Sequence, residues 1–483
     1  MTTPHLKKNR GYLLVLTLVF GAVFFTILAA FTGYVVTQGD VQEFKYNKER
    51  ALDIAEAGLN YYKWFLAHNP NNTTNGTGLA GPYVIPYADP EGSVIGNYSL
   101  EIASSTQCGD VYAIDIYSTG TTVEEPDLER TIFARYARPT VAEYAYIINS
   151  NVWAGSDRTI IGPYHSNGVI RMDGTNLSTV SSGQESWVCD DDLFPCDPAN
   201  NGDTVDAVYG DGPNDEFWHF PSTPINFTGI SVDLAEIQDK AENGGGIYIP
   251  PSTRRGYRLS FQNDGTVDVY QVTRADAYWG YSPENGWTQE QNVINTNNFY
   301  GSYTIPTACP LIFVEDTVWI EGEVKGKVTV AAADIDTTGV DPSLVLNGNI
   351  TYTDTDSGLL AIGEKDVLVG LSVPNVMTVN GIFVAQTGRF GRNHYCQTDC
   401  SITQGNQGLP GTLDAYVFRS TLTVNGTIVS NGREGTKWMN GSTYVSGFNT
   451  RNNSYDRDLV SNPPPLTPET SDTYEFIEWR EMD

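Results

Sequence analysis

An uncharged N-terminal stretch constrains this chain more than any other feature. From Tyr12 to Val36 the sequence carries no charged side chain, and about 20 apolar residues are enough for a helix to cross the hydrocarbon core of a bilayer. Three basic residues lie just before it in Lys7–Arg10, whereas the first charged residue after it is Asp40. By the positive-inside rule, these features predict a cytoplasmic leader (1–11), a single transmembrane segment (12–36) and an exported body.

The same helix is predicted to continue beyond the membrane. The segment Asp40–His68 contains no proline, and its apolar residues recur at steps of three and four, as in Leu52, Ala55, Leu59, Tyr62 and Leu66. Pro70 ends the pattern. A secretory signal peptide cut near Ala30 is the alternative, but its apolar region runs to only about 7 to 15 residues. We therefore predict one helix over residues 12–70, about 80 Å long.

The two ends of this helix carry motifs of a known family. Arg10-Gly11-Tyr12 follows the basic leader, and Ala51-Leu52-Asp53-Ile54-Ala55-Glu56-Ala57-Gly58-Leu59 lies in the amphipathic half. Together they resemble a type IV pilin-like precursor with a class III signal, of the PilX-like minor pilin kind. The resemblance implies that a prepilin peptidase cuts after Gly11 and methylates Tyr12. It also implies a glutamate five residues into the mature chain, where this sequence has Leu16, a departure that fits a tip or initiating subunit.

Composition limits what the exported body can do. The 483 residues carry a net charge of -30, which repels phosphate groups, so we predict that nucleic acid is not a partner. Only 18% of residues are charged, while Gly reaches 47 and Tyr 28. This profile is typical of an exported β-rich protein long enough for two or three domains. We therefore predict an α+β chain, mainly β.

Residues 71–140 are predicted to form a small antiparallel sheet that packs on the helix. Asn97–Ala103, Asp110–Thr119 and Arg130–Ala137 alternate polar with apolar side chains and are separated by turn residues. Residues 71–95 are rich in Asn, Gly, Thr and Pro and are predicted to be a loop. The amphipathic half of the helix needs such a sheet to cover its apolar stripe.

An α+β insert is predicted over residues 141–310. Residues 150–230 are predicted to be rich in loops. A helix is expected at Asp233–Glu242, before three glycines, and a hairpin at Tyr257–Val272 around Asn263-Asp264-Gly265.

Residues 311–445 contain an irregular repeat. Each unit is a strand interrupted by a glycine and then resumed, at Gly322, Gly348, Gly381 and Gly426. Strands that recur with glycine corners predict a β-solenoid, similar to a right-handed β-helix, in which each coil covers the next. A two-sheet sandwich is the alternative. The C-terminal tail, 446–483, contains Pro463–Pro465, which cannot enter a central strand.

The cysteine count of six is even, which in an exported body predicts disulfides. The predicted pairs are Cys189 with Cys196, Cys396 with Cys400, and Cys108 with Cys309. Structural zinc is the alternative, but neither short spacing is the two-residue gap of a zinc ribbon.

Two acidic turns are candidates for calcium, the one cofactor the sequence suggests. Asp334 and Asp336 alternate before Gly339 like the start of a calcium loop, and Asp354 and Asp356 form a shorter version. The first turn has no glutamate at its twelfth position, which excludes an EF-hand. A solvated turn is the alternative.

An aromatic loop is a candidate binding surface for carbohydrate or protein. It contains Tyr278, Trp279 and Tyr281, followed by Trp287, and such rings offer large contact areas. Burial against the sheet of the insert is the alternative. No metalloprotease, hydrolase or P-loop motif is present in the sequence, so we predict no catalytic residues, and His165 is expected to hold its own loop by a hydrogen bond.

Taken with the resemblance, these features predict a structural minor pilin or pseudopilin-like subunit, placed at a filament tip for assembly priming or surface adhesion. Its expected partners are other pilins, the pilus assembly machinery, the prepilin peptidase and the inner membrane, with the body periplasmic or extracellular. Two alternatives remain: a membrane-anchored surface binding protein outside any filament, and an anchored β-solenoid carbohydrate-active enzyme.

Overall fold

The computed structural model describes residues 11–69, 72–190, 193–228, 233–335, 341–400 and 408–482. They form two compact units. The first comprises the described residues of Met1–Ser104, Ile114–Tyr136 and Glu478–Asp483, and the second comprises those of Ser105–Ala113 and Ala137–Ile477. Apart from Gly11, the predicted leader lies outside the described residues.

A single helix makes up more than half of the chain before residue 105. Helix α1 spans Tyr12–His68, which is 57 residues and about 85 Å at 1.5 Å per residue. Its C-cap is Asn69, whose N–H bonds the carbonyl oxygens of Leu66 and Phe65. Pro70 follows at once, and proline cannot supply the N–H that another turn would need. The predicted continuous helix is confirmed.

A small sheet completes the first unit. Its first four strands are β1 (Tyr83–Ala88), β2 (Val94–Gln107), β3 (Asp110–Thr122) and β4 (Arg130–Ala137). The last three confirm the predicted strands. Strand β1, antiparallel to β2, falls in the predicted loop and corrects that expectation. It was missed because it contains a proline and none of its side chains is buried.

The second half of α1 packs on this sheet through one face. Its buried residues recur at helical spacing: Asn47, Ala51, Ile54, Ala55, Gly58, Leu59, Tyr62, Phe65 and Leu66. Glycines set the distance of closest approach. A Cβ placed on Gly120 of β3 would lie 2.0 Å from the carbonyl oxygen of Ala51, and one on Gly58 would lie 2.3 Å from the hydroxyl oxygen of Ser118. Helix backbone and sheet backbone are therefore in direct contact.

The second unit begins with short strands. They span two to four residues each: β5 (Tyr146–Ile148), β6 (Val152–Ala154), β7 (Arg158–Ile161), β8 (Tyr164–Ser166), β9 (Ile170–Met172), β10 (Thr175–Asn176), β11 (Val180–Ser182), β12 (Ser186–Val188), β13 (Thr204–Asp206), β14 (Val208–Tyr209) and β15 (Trp218–His219). The interval predicted as loop-rich thus contains β6–β15. Strands of this length are too short for an alternation of polar and apolar residues to be recognised in the sequence.

Helix α2 (Leu234–Glu242) follows, as predicted, and the side chain of Asp233 accepts hydrogen bonds from two of its N-terminal amides. The chain then forms β16 (Ile247–Ile249), β17 (Tyr257–Phe261), β18 (Thr266–Ser282) and β19 (Gly286–Thr304). The predicted hairpin is formed by β17 and β18. Strand β18 also forms a second, longer antiparallel hairpin with β19. The sequence did not predict this hairpin because β19 is mostly polar.

The remaining elements complete the chain. They are β20 (Leu311–Val314), β21 (Val318–Val324), β22 (Lys327–Ala332), β23 (Leu344–Tyr352), β24 (Gly358–Gly363), β25 (Val367–Val369), β26 (Val376–Ala385), β27 (Phe390–Gly391), β28 (Phe418–Ser430), β29 (Lys437–Asn440), β30 (Thr443–Ser454), α3 (Arg457–Ser461) and β31 (Glu475–Met482). Pro463–Pro465 lies between α3 and β31, outside any strand. Strand β31 takes the edge beside β4 in the small sheet.

Two parallel ladders organise the second unit. The first ladder runs in the order β16, β20, β22, β24, β26, β28, β5, β8, β11, β15. The second ladder runs in the order β17, β21, β23, β26, β28, β30, β7, β10. The inward side chains of both ladders share one apolar core. Parallel pairing of strands is compatible with the predicted solenoid, which stays a prediction.

The order of strands in each ladder differs from their order in the chain. The parallel strands of 247–454 pair in chain order, and the earlier strands of 146–219 then join their far end, where β28 pairs with β5 and β30 with β7. We call this junction the seam. The predicted boundary after residue 310 falls between the paired strands β16 and β20, and the one after residue 445 falls within β30.

Candidate functional site

The first half of α1 is apolar and has no partner in the described part of the chain. It is the helix that is long and apolar enough to cross a membrane, and none of its apolar stretch is buried. Tyr12 is 73% exposed and Phe25 69%. An apolar surface of this length is unfavourable in water, so this half of the helix requires lipid or other apolar helices around it.

The predicted cleavage residues lie at the start of this surface. Gly11 takes the N-cap position of α1, and a Cβ added to it would meet no atom within 4 Å. Tyr12 is the first helical residue. Leu16 is 39% exposed and occupies the position where the resemblance implies a glutamate, and the first acidic residue after Tyr12 is Asp40. A chain that began at Tyr12 would thus have no carboxylate near its amino group.

The structure brings the six cysteines together in the three predicted pairs. The Cα atoms are 4.3 Å apart in Cys108–Cys309, 5.0 Å in Cys189–Cys196 and 5.6 Å in Cys396–Cys400. The first pair joins residues 201 apart in sequence, whereas the other two close loops of a few residues. The long-range pair ties the β2–β3 turn to the segment before β20.

The acidic turns proposed for calcium follow two strands of the second unit, β22 and β23. The backbone N–H of Asp334 donates to the carboxylate of Glu364 at 2.7 Å, and Asp336 lies outside the described residues. Asp354 and Asp356 lie in the turn between β23 and β24. Within the described ranges, no group of three or more His, Cys, Asp or Glu residues is placed to hold a metal ion. Calcium binding stays a prediction.

The aromatic loop forms the tip of the β18–β19 hairpin. Tyr281 and Trp287 face each other across the strands, with ring centroids 5.8 Å apart. Trp438 lies 5.6 Å from Tyr281, and His394 lies 5.3 Å from Trp287. Two backbone hydrogen bonds, of 2.9 and 3.0 Å, join Tyr281 to His394. His394 and Trp438 were missed because they are more than 100 residues from the loop in sequence.

The other two predicted aromatic residues lie elsewhere. Tyr278 packs against a small core that includes Leu371 and Tyr395, and Trp279 pairs with Gln289 across the hairpin. All four predicted rings are half-buried. The loop therefore divides between an internal contact and a partly exposed tip, and ligand binding there stays a prediction.

A buried polar cluster holds this hairpin against the coils. The hydroxyl of Tyr395 donates to Glu290 at 2.9 Å, and the amide of Asn292 donates to both Glu290 and Tyr395. Burial raises the pKa of Glu290 to about 7, and the hydrogen bond from Tyr395 opposes that rise. Burial lowers the pKa of His394 to about 4. Glu290, Asn292 and Tyr395 thus bond one another, as expected of a structural contact, whereas Nδ1 of the His394 ring is buried without a hydrogen-bond partner among the described residues.

His165 lies on the first ladder and is buried. Its ring nitrogens lie 2.9 Å from the Ser181 hydroxyl and 3.0 Å from the Asn167 side-chain oxygen. Asn167 also accepts from the backbone N–H of Ile225. These bonds hold the 162–168 loop and the segment around Ile225, as expected from the sequence.

Comparison with known proteins gives little further guidance. No protein-family model matches the chain, and no curated protein matches it. Among solved structures, it is similar to the crystal structure of the competence-associated pilin ComZ from Thermus thermophilus, with 13% identity over 90% of this chain and 97% of that chain. The TM-score is 0.26, so this similarity carries no argument about fold or function.

Proposed function

We propose that the chain is a minor subunit of a type IV pilus or a related filament. The observation that carries the proposal is the division of α1: its second half is packed on its own sheet, whereas its first half is apolar and exposed over the length of a membrane span. Such a helix suits a subunit that is first inserted in a membrane and later packs into a bundle of similar helices. The resemblance of residues 1–70 to pilin precursors supports the same proposal.

The tip is the position that this helix fits best. In a bundle of apolar helices, an unpaired N-terminal ammonium group costs several kcal/mol unless a carboxylate meets it. A subunit with Leu16 offers no such carboxylate to the ammonium group of a neighbour. The missing carboxylate has the smallest cost at the filament tip, where there is no neighbouring subunit beyond this one. We propose priming of assembly or contact with a surface as the role.

The proposal predicts where the protein is found. It should co-purify with filaments in substoichiometric amounts, and immunogold labelling of the second unit should mark one filament end. Because no partner carboxylate is needed at the tip, Leu16→Glu should still assemble. Even labelling along the shaft would contradict the tip position. Purification with membranes but never with filaments would favour the alternative of an anchored surface binding protein.

The proposal also predicts a mature chain that begins at Tyr12. Gly11→Leu should abolish processing in cells that contain the prepilin peptidase, whereas Tyr12→Phe should be processed normally. Because a Cβ at position 11 meets no atom of the described residues within 4 Å, failure of Gly11→Leu would reflect recognition rather than misfolding. N-terminal mass spectrometry of the membrane fraction measures the outcome. A mature start beyond Ala29 would identify a secretory signal peptide instead.

A further inference from the structure

Two arginines lie side by side in the interior of the seam. Arg158 of β7 and Arg451 of β30 are in register on neighbouring strands, which in a sheet are about 4.8 Å apart. Their side chains are 1% and 9% exposed. Like charges that face each other on neighbouring strands repel. Burial lowers the pKa of Arg451, and Arg158 lowers it further. The two arginines therefore need negative charge close by.

Two carboxylates lie beside the arginines, but a third cation accompanies them. Glu434 pairs with Arg158 at 2.6 Å. Asp157 accepts two hydrogen bonds from Arg451, of 3.0 and 2.9 Å, and lies 3.5 Å from the ammonium group of Lys437. We call these five side chains the seam cluster. Three cations share two carboxylates, which leaves one positive charge in excess.

The seam cluster is shielded from water. The side chain of Lys437 is 11% exposed, and that of Asp157, the most exposed of the five, only 25%. Burial by itself raises the pKa of Asp157, but the cations around it outweigh burial and the pKa is lowered. The carboxylate is therefore already ionised and has no further negative charge to supply. An unbalanced charge away from solvent is unfavourable.

Unused hydrogen-bond donors accompany the excess charge. Nε and Nη1 of Arg158 have no hydrogen-bond partner among the described residues, and neither does the hydroxyl of Tyr146. The Arg158 guanidinium lies 5.3 Å from the centroid of the Tyr146 ring, and both side chains are buried. Burial raises the pKa of Tyr146, so its hydroxyl keeps its proton. Because the N–H groups of arginine can only donate, these atoms require an acceptor.

We propose that the seam cluster binds a chloride ion beside Arg158 and Tyr146. An anion of charge −1 balances the excess positive charge, and it accepts hydrogen bonds from N–H and O–H groups together. A water molecule can accept the same bonds but leaves the charge unbalanced, and a divalent anion reverses the sign of the imbalance. The inference concerns the second unit alone and does not depend on the proposed filament role.

Urea unfolding of the full-length protein in detergent tests chloride binding. A ligand that binds only the folded chain lowers the unfolding equilibrium constant in proportion to its concentration above Kd. We therefore expect that constant to fall about tenfold for each tenfold rise in sodium chloride in this range. Sodium gluconate at equal ionic strength controls for charge screening and should not reproduce the effect. Hydrogen exchange should locate the protection by chloride at β5, β7 and β30.

Two variants remove different parts of the site. Lys437→Met removes the excess charge and should abolish the chloride dependence. Tyr146→Phe removes one donor and keeps the ring, so it should raise the Kd for chloride about tenfold, as expected for one hydrogen bond to a charged group. Arg274→Met is the matched control, because it also removes one positive charge but from a side chain that is 68% exposed. It should keep the full chloride dependence.

Bromide locates the site directly, because it replaces chloride and scatters X-rays anomalously. Crystals grown in sodium bromide should show an anomalous peak beside the guanidinium of Arg158 and the hydroxyl of Tyr146. Density for water there, without an anomalous signal, would overturn the inference. So would equal unfolding constants in chloride and gluconate, or full chloride dependence in both Lys437→Met and Tyr146→Phe.

Discussion

Replacing Gly120 with alanine is expected to destabilise the first unit by about 3 kcal/mol, at the upper end of the usual cost of overpacking. The added Cβ would lie 2.0 Å from the carbonyl oxygen of Ala51 and 2.6 Å from the backbone nitrogen of Ala55. Both atoms belong to the backbone of α1, which cannot move aside as a flexible side chain could. The helix must therefore lift from the sheet, exposing neighbours such as Ile54, which is fully buried.

Hydrogen exchange measured by mass spectrometry reports this change in the full-length protein. Amides of β3 and of the second half of α1 should exchange about a hundredfold faster in Gly120→Ala, since each 1.4 kcal/mol is a factor of ten. Gly39→Ala is the matched control, because nothing lies within 4 Å of a Cβ there and alanine favours a helix by about 1 kcal/mol. Equal exchange in the two variants would contradict the direct backbone contact.

Removing Glu434 is expected to open the seam of the second unit. Its carboxylate lies 2.6 Å from the guanidinium of Arg158, and the two side chains are 4% and 1% exposed. Burial by itself lowers the pKa of Arg158, but Glu434 outweighs it and the pKa is raised. Glu434→Ala would leave a buried cation without its carboxylate, which costs about 3 to 5 kcal/mol.

Urea unfolding followed by tryptophan fluorescence measures this loss, and hydrogen exchange locates it at β5 and β7. Asp276→Ala is the control, since its partner Arg274 is 68% exposed and such surface pairs contribute at most about 1 kcal/mol. Arg158→Met combined with Glu434→Leu should recover most of the stability, because neither member of the pair is then left as a buried charge without its partner. A Glu434→Ala loss no larger than that of Asp276→Ala would contradict a structural role for the pair.

Sequence patterns predicted the elements whose signals are local. The 57-residue helix, the strands β2 to β4 and the capped helix α2 each follow from residues within one segment. The small strand β1 and the polar strand β19 lack that signal, because their neighbours in space, not their own alternation, keep them in a sheet.

Contacts between distant residues could not be predicted in this way. The pair of Arg158 and Glu434 spans 276 residues, and His394 and Trp438 join the aromatic loop from separate coils. Nothing in a single sequence identifies such partners. The glycine repeat did indicate recurring strands, and in the structure Gly381 and Gly426 lie in register on neighbouring strands. The glycine repeat did not indicate that the strands of 146–219 pair with β28 and β30.

The seam joins strands that are far apart in the chain, so it can form only after the later strands have been synthesised. Strands β5 and β7 are synthesised early, yet their partners β28 and β30 are made much later. A chain released before residue 430 would leave one edge of β5 unpaired, and an exposed strand edge recruits other chains. Synthesis of β28 and β30 is thus what protects β5 and β7 from aggregation.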